Sequence, residues 1–316
     1  TPTRLGPGPA GVSPWCGVVL GGQTVRSELE RSLDRLMTGV RADWALYVKY
    51  TGSGEEICIN ADALMDTMST IKIPILVTLF RMVDAGELDL AQTYTLETRF
   101  KRFGTGVLQS MDDGMTFSLR DAATLMIIES DNTATDFLME IVGDGAVNTM
   151  LDDMGYTQTR TSVTLGRYHY RMAGLGDDVP TCPENDVLQR ENSKAHGHDY
   201  DSLSYSDSPE NNVAAPREMA DMLKKMHRGQ MLSASSSEEM LGMLRYGRDR
   251  RMIPRHIKPE IAIAHKYGSS GIIKGNVGII YLPSGPLVVA GFALGRPGNN
   301  AELGSVAIAR VTRLAA

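Results

Sequence analysis

Cysteine is scarce in this 316-residue chain: Cys16, Cys58 and Cys182 make an odd number, with no CxxC pair among them. At most one disulfide plus a free thiol can form, and three reduced thiols are equally allowed. Histidine is rare too. The six present show no HxxxH-type spacing, and His196 and His198 fall in a polar loop where solvation, not ligation, is the plain reading. No metal and no cofactor is expected. An apolar run of the ~20 residues that a membrane span requires is missing. Positive charge is not in excess either: 32 Lys and Arg against 38 Asp and Glu give a net charge of −6. With the charges well mixed, neither a nucleic-acid footprint nor a basic face for an anionic membrane is expected. The opening "TPTRLGPGPAGVSPW" lacks the charged start and apolar core of a signal peptide, although a chain whose signal had been removed would read the same.

What is present is ordinary globular material, 42% hydrophobic and 22% charged, long enough for one large domain or two lobes. Residues 1–22, rich in Gly and Pro, read as an extended N-terminal segment. "TVRSELERSLDRLMTGV" has helical spacing and ends near Gly39. "ADWALYVKYTG" and "EEICINAD" alternate like two strands turned at "GSGE". From Ser69 to about residue 155 the spacing predicts helix throughout. Residues 160–215 are polar, dotted with aromatics and poor in periodicity, and read as a long loop. Helices resume at "PREMADMLKKMHRG", with Pro216 suited to a first helical position, and at "SEEMLGMLRYG". "EIAIAHKYG", "GNVGIIYLP" and "PLVVAGFALG" read as an antiparallel meander, and "ELGSVAIARVTRLAA" as a closing amphipathic helix. The expected architecture is α+β: residues 23–66 and 229–316 form an α/β lobe, and 67–228 an inserted helical lobe that contains loop 160–215.

Three short patterns bear chemistry. In "DTMSTIKIPILVTLF" an otherwise apolar helix places Lys72 three residues after Ser69, one turn away on the same face. A serine hydroxyl needs a base, and a lysine at the rim of an apolar core has its pKa pushed down by desolvation. A lysine that merely snorkels to the surface is the plain alternative. "ESDNTA" offers Ser130 to relay a proton and Asn132 to hold a carbonyl, or simply a helix cap. "HKYGSSG" offers a cation at Lys266 and an N–H at Ser269 beside small residues, or simply a charged edge strand.

Taken in order, S-x-x-K, S-D-N and K-Y-G resemble the S-x-x-K, S-D-N and K-T-G signature of class A β-lactamases and penicillin-binding proteins. Further likeness lies in "GELDL", "PREMADMLKKMHRG", "MLRYGRDRRMIPR" and "GNVGIIYLPSGPLVVAGF". The resemblance implies a β-lactamase/transpeptidase-like fold and a serine hydrolase that forms an acyl-enzyme on a lactam, amide or ester. It implies Ser69 as nucleophile, Lys72 as its base, Ser130 as proton relay, Asn132 on a substrate amide, and Lys266 as a positive field. The N–H groups of Ser69 and Ser269 would form the oxyanion hole, with Tyr267 and Gly268 lining the substrate groove. A small-molecule or peptide substrate, and a periplasmic or secreted location, follow from family habit alone. A D,D-peptidase or esterase, and a β-lactam-binding or catalytically silent homologue, are the alternatives.

Two departures stand out. Tyr267 occupies the place of a threonine or serine whose hydroxyl meets a substrate carboxylate. The glutamate that deacylates class A enzymes is absent from "TSVTLGRYHYRMAGLGDD". Glu184 has a carboxylate at the wrong spacing. Tyr168, His169 and Tyr170 are better placed, although loop aromatics commonly serve to pack the loop down.

Overall fold

The computed structural model describes residues 31–33, 35–36, 42–295 and 302–316. The N-terminal segment 1–22 and most of the helix expected over 24–40 lie outside these; residues 31–33 and 35–36 are helical. Cys58 is disulfide-bonded and Cys182 is a free thiol, which selects the one-disulfide alternative.

The strands of the main sheet are β1 (Asp43–Tyr50), β2 (Glu56–Ile59), β3 (Ile263–Ser269), β4 (Ile273–Leu282) and β5 (Gly285–Leu294). The helices, in chain order, are α1 (Lys72–Asp84), α2 (Leu119–Ile128), α3 (Asn132–Val142), α4 (Ala146–Asp153), α5 (Leu165–Met172), α6 (Asp186–His196), α7 (Pro216–His227), α8 (Ala234–Arg245) and α9 (Glu302–Ala315). The fold is α+β, an antiparallel sheet flanked by helices, as expected. Two compact units divide the described chain. One holds Ile71–Val213 and Leu232–Met243; the other holds the described residues up to Thr70, Ala214–Met231 and Leu244–Ala316.

In the sheet unit the strand order is β2-β1-β5-β4-β3, antiparallel at every step. The β4–β5 hairpin turns over Pro283 and Ser284, with Leu282 opposite Gly285. Period-two alternation puts Trp44, Leu46 and Val48 of β1 on one face, in a cluster with Ala307, Ile308 and Val311 of α9. The opposite face takes α7, whose Met219, Met222, Leu223 and Met226 are buried. Pro216 lies in the first turn of α7, where its missing N–H removes no helical bond.

In the helical unit, α1 is buried continuously from Lys72 to Phe80 and packs against α2, α3 and α4. The ends of the surrounding helices are written in their caps. Ser118 and Asp121 form a capping box on α2, Asp131 caps α3, and Thr164 caps α5. Phe137 of α3 takes Tyr94, Phe100 and Phe117 edge-on, with centroids 5.0, 5.2 and 5.1 Å away.

Two expectations need correction. The stretch from Ser69 to residue 155 is not helical throughout. Residues 85–118 hold a short antiparallel pair, Thr93–Thr95 with Thr116–Ser118, and isolated 3-10 turns. Gly104, Gly106 and Gly114 have φ of +113°, +115° and +91°, which no right-handed helix admits. Conversely, the supposed loop 160–215 contains α5 and α6. Its order rests on buried Leu165, Tyr168, Tyr170 and Met172 of α5 together with polar pairing. Buried Arg171 donates to both carboxylate oxygens of Asp177, at 2.8 and 2.6 Å, and to the carbonyl of Glu210.

Phe137 anchors three aromatic neighbours from the segment that lacks helix. Replacing it with Ala is expected to cost about 3–5 kcal/mol of unfolding free energy, read as a lower urea midpoint. A loss under about 1 kcal/mol would show that the ring cluster does not hold this segment.

Candidate active site

Ser69 lies in a 3-10 turn, Met68–Ile71, that runs directly into α1 at Lys72. The residue before it, Met68, has φ +46°, and Ser130 has φ +54°. Left-handed backbone in a non-glycine residue costs on the order of 1 kcal/mol or more and persists where surrounding contacts enforce it. At Met68 the enforcing contact is its N–H, which donates to Asp66 Oδ1 at 2.8 Å. At Ser130 it is a pair of donors on the carbonyl: Lys72 Nζ at 2.6 Å and Thr105 Oγ1 at 2.9 Å.

Lys72 is fully buried. Its Nζ also donates to Ser130 Oγ at 3.1 Å and Asn132 Oδ1 at 3.0 Å. The structure therefore brings Lys72, Ser130 and Asn132 together. Removal from water holds the Lys72 pKa down to about 7, while the carboxylates of Asp131 and Asp136 pull it up. A snorkelling surface lysine is ruled out by this burial.

The S-D-N turn is clamped by residues that the sequence reading passed over. Asp131 Oδ2 accepts from the N–H groups of Val107 and Leu108, at 2.6 and 2.9 Å, and Oδ1 accepts from Ala134. The Asn132 amide donates to the Phe103 carbonyl, and its backbone N–H to the Thr105 carbonyl. A Cβ on Gly106 would stand 2.5 Å or less from Asp131 atoms, its Cα included. Only glycine lets loop 103–108 close on the turn, and "GTG" was the available signal. Asp136, one turn further along α3, accepts from the N–H groups of Leu165 and Gly166 and from Arg102 Nε. A carboxylate of α3 thus tethers the start of α5, the helix that bears Tyr168 and His169.

In the sheet unit, a Cβ on Gly268 would meet Met68 Cβ at 2.6 Å, the Thr67 carbonyl at 2.7 Å and Ser69 N at 2.8 Å. Gly268 therefore brings β3 against the backbone of Ser69. Ser269 Oγ accepts from Lys274 Nζ at 2.6 Å, and Lys274 also donates to the Ser270 carbonyl. Lys266 is buried; its Nζ donates to the Tyr267 carbonyl and lies 4.5 Å from the centre of the Tyr267 ring. That ring packs against the Trp44–Ile308 cluster, with Arg251 5.9 Å from its centre on a different approach.

Of the residues considered for deacylation, Glu184 is solvent-exposed, and its pKa is lowered mainly by its own backbone N–H. Tyr168 is buried, and its ring meets the His169 ring edge-on at 5.8 Å. Among the described residues no cluster of His, Cys, Asp and Glu could hold a metal ion, and no helix is long and apolar enough to cross a membrane.

The Beta-lactamase enzyme family model matches residues 28–316, and the chain belongs to that family, within the superfamily of class A β-lactamases and penicillin-binding-protein-like serine hydrolases. A beta-lactamase from Sphaerobacter thermophilus is similar at 28% identity over 92% of this chain and 95% of that one, with a TM-score of 0.73. PBP-A is similar at 25% identity over 92% and 94%, also with a TM-score of 0.73. The extended-spectrum beta-lactamase PER-1 of Pseudomonas aeruginosa is 23% identical over 84% of this chain and 79% of its own length.

Burial of Lys72 has a consequence for stability. Its folded pKa, about 7, lies below the ordinary 10.5, so between these values the unfolded chain binds more protons and stability rises with pH. The gain is expected to reach roughly 2–3 kcal/mol by pH 9. Urea unfolding of wild type and Lys72→Met at pH 6.5, 8 and 9 checks it: the difference in stability should change with pH in the sense that the wild type gains on the variant.

Proposed function

We propose that this chain is a serine hydrolase in which Ser69 takes the acyl group of a lactam, amide or ester and then passes it to water. The observation that carries the reading is the buried Lys72 amine, whose hydrogen bonds join Ser130 and Asn132. An amine with a pKa near 7 is half unprotonated at neutral pH, which suits a general base. Neutral Lys72 removes the Ser69 proton as Oγ adds to the carbonyl carbon. Ser130, bonded to the same amine, returns a proton to the leaving nitrogen or oxygen. Asn132 donates from its amide to a substrate carbonyl. The N–H groups of Ser69 and Ser269 receive the negative oxygen, a reading supported by the glycine-only approach of β3 to Ser69 N. Lys266 supplies positive charge toward a substrate carboxylate.

Tyr267 is half-buried against the sheet core, and a bulky ring stands where the family's small hydroxyl would be. Recognition of a carboxylate then falls on the cations. Because the class A glutamate is missing, D-amino-acid peptides and esters stand beside β-lactams as substrates. A single-substitution variant of the similar PBP-A forms an acyl-enzyme complex with penicillin G, which supports acylation by a β-lactam here.

Incubation with penicillin G should add one acyl equivalent, located by peptide mass spectrometry on Ser69. Ser69→Ala should abolish the adduct and reduce hydrolysis of β-lactams, p-nitrophenyl esters and D-amino-acid peptides by at least about 10³-fold. The acylation rate should rise with pH through about 7 as Lys72 loses its proton. Lys72→Arg, which cannot deprotonate, should lose acylation altogether. Activity that survives in Ser69→Ala would overturn the assignment.

A further inference from the structure

We propose that His169 is the base that activates water to release the acyl group, acting through Nε2. The inference rests on the acyl-enzyme reading above and supplies its second half. Four observations support it.

The first is the tautomer. His169 Nδ1 lies 2.7 Å from the carbonyl oxygen of Leu165, one turn back on α5. A carbonyl only accepts, so Nδ1 bears the proton and Nε2 of the neutral ring keeps its lone pair. The second is availability. Among the described residues no group hydrogen-bonds Nε2.

The third is position. The point where a Cβ on Gly104 would stand is 3.2 Å from His169 Nε2 and 2.5 Å from Asn132 Nδ2. The missing side chain lets the imidazole and the S-D-N amide border the same spot. Asn132 is itself bonded to Lys72, three residues from Ser69. The fourth is the commitment of the neighbouring carboxylates. Asp136 is occupied by Leu165, Gly166 and Arg102, and Asp131 by Val107, Leu108 and Ala134. Both carboxylates already serve as acceptors that fix neighbouring backbone, whereas Nε2 bonds to no described group.

Burial lowers the His169 pKa first, and the Lys72 and His198 charges lower it further; the Leu165 carbonyl and Asp136 raise it. The net effect is a ring that is neutral at physiological pH. In the step itself, the water oxygen adds to the ester carbon of acyl-Ser69 while one water proton passes to Nε2. As the tetrahedral intermediate collapses, the C–Oγ bond breaks and the imidazolium returns that proton to Oγ. The products are the free acid and the starting enzyme.

Stopped-flow mixing with penicillin G, followed by mass spectrometry of the Ser69 adduct, tests this in the whole chain. In His169→Asn the adduct should form within about threefold of the wild-type rate and clear at least about 100-fold more slowly. Wild-type clearance should rise with pH to a plateau as the imidazole deprotonates, and the variant should lose that limb. A residue that only positioned its neighbours would leave the pH profile intact. His169→Gln gives the same comparison if the asparagine variant fails to fold. Clearance at the wild-type rate in either variant, an unchanged pH limb, or a wild-type adduct that never clears would overturn the proposal. A wild type that forms no Ser69 adduct at all would instead remove the acyl-enzyme reading on which it stands.

Discussion

The contact on which the rest of the site depends is the buried amine of Lys72 with the carbonyl and hydroxyl of Ser130 and the amide oxygen of Asn132. A nitrogen carried at the start of an apolar helix would be intolerable if it were unpaired. Three acceptors make it tolerable, and two of them come from a turn that ordinary backbone preference disfavours. The amine therefore needs the left-handed Ser130, and Ser130 needs the amine. Loop 103–108 closes the arrangement through Thr105 and the buried carboxylate of Asp131. Lys72 is the member shared by the others, so its removal takes a donor from acceptors at both Ser130 and Asn132.

The same economy extends outward along α3. Asp131 at its N-terminus and Asp136 one turn later each fix a neighbouring backbone. Asp131 holds the loop that covers the S-D-N turn. Asp136 holds the first N–H groups of α5, which also have the Thr164 cap. A helix N-terminus anchored on a carboxylate is favourable electrostatically as well as through its hydrogen bonds. The result is a fixed path from the S-D-N turn to the helix that bears His169.

Much of this was legible in the sequence. Strands β1 and β2 alternate, β3 to β5 read as apolar runs parted by Gly and Pro turns, and α7, α8 and α9 carry readable apolar stripes. The S-x-x-K and S-D-N motifs pointed to Lys72, Ser130 and Asn132, which hydrogen bonds join. What resisted reading was short: α5 has an apolar face, but over only eight residues. Arg171 with Asp177, and Asp136 with α5, stabilise 160–215 by pairing residues that look merely polar in one dimension. The GTG loop was taken into a helix because its glycines matter through space, against Asp131 and Asn132. Tyr267 could be recognised as a departure, but the direction of its ring depends on which face of β3 meets the core, a matter of sheet register.

The missing class A glutamate and the glycine at 104 are best understood together. A carboxylate base is charged in its active form and needs water or hydrogen-bond donors around it. A neutral imidazole needs no such support. It does need its other nitrogen bonded, to fix the tautomer, and space for a flat ring against the turn it serves. The Leu165 carbonyl provides the first and Gly104 the second. Its burial, which would penalise a carboxylate by raising its pKa, keeps an imidazole in the basic form instead. On the proposal that His169 is the base, the environment around α5 therefore suits an imidazole better than a carboxylate.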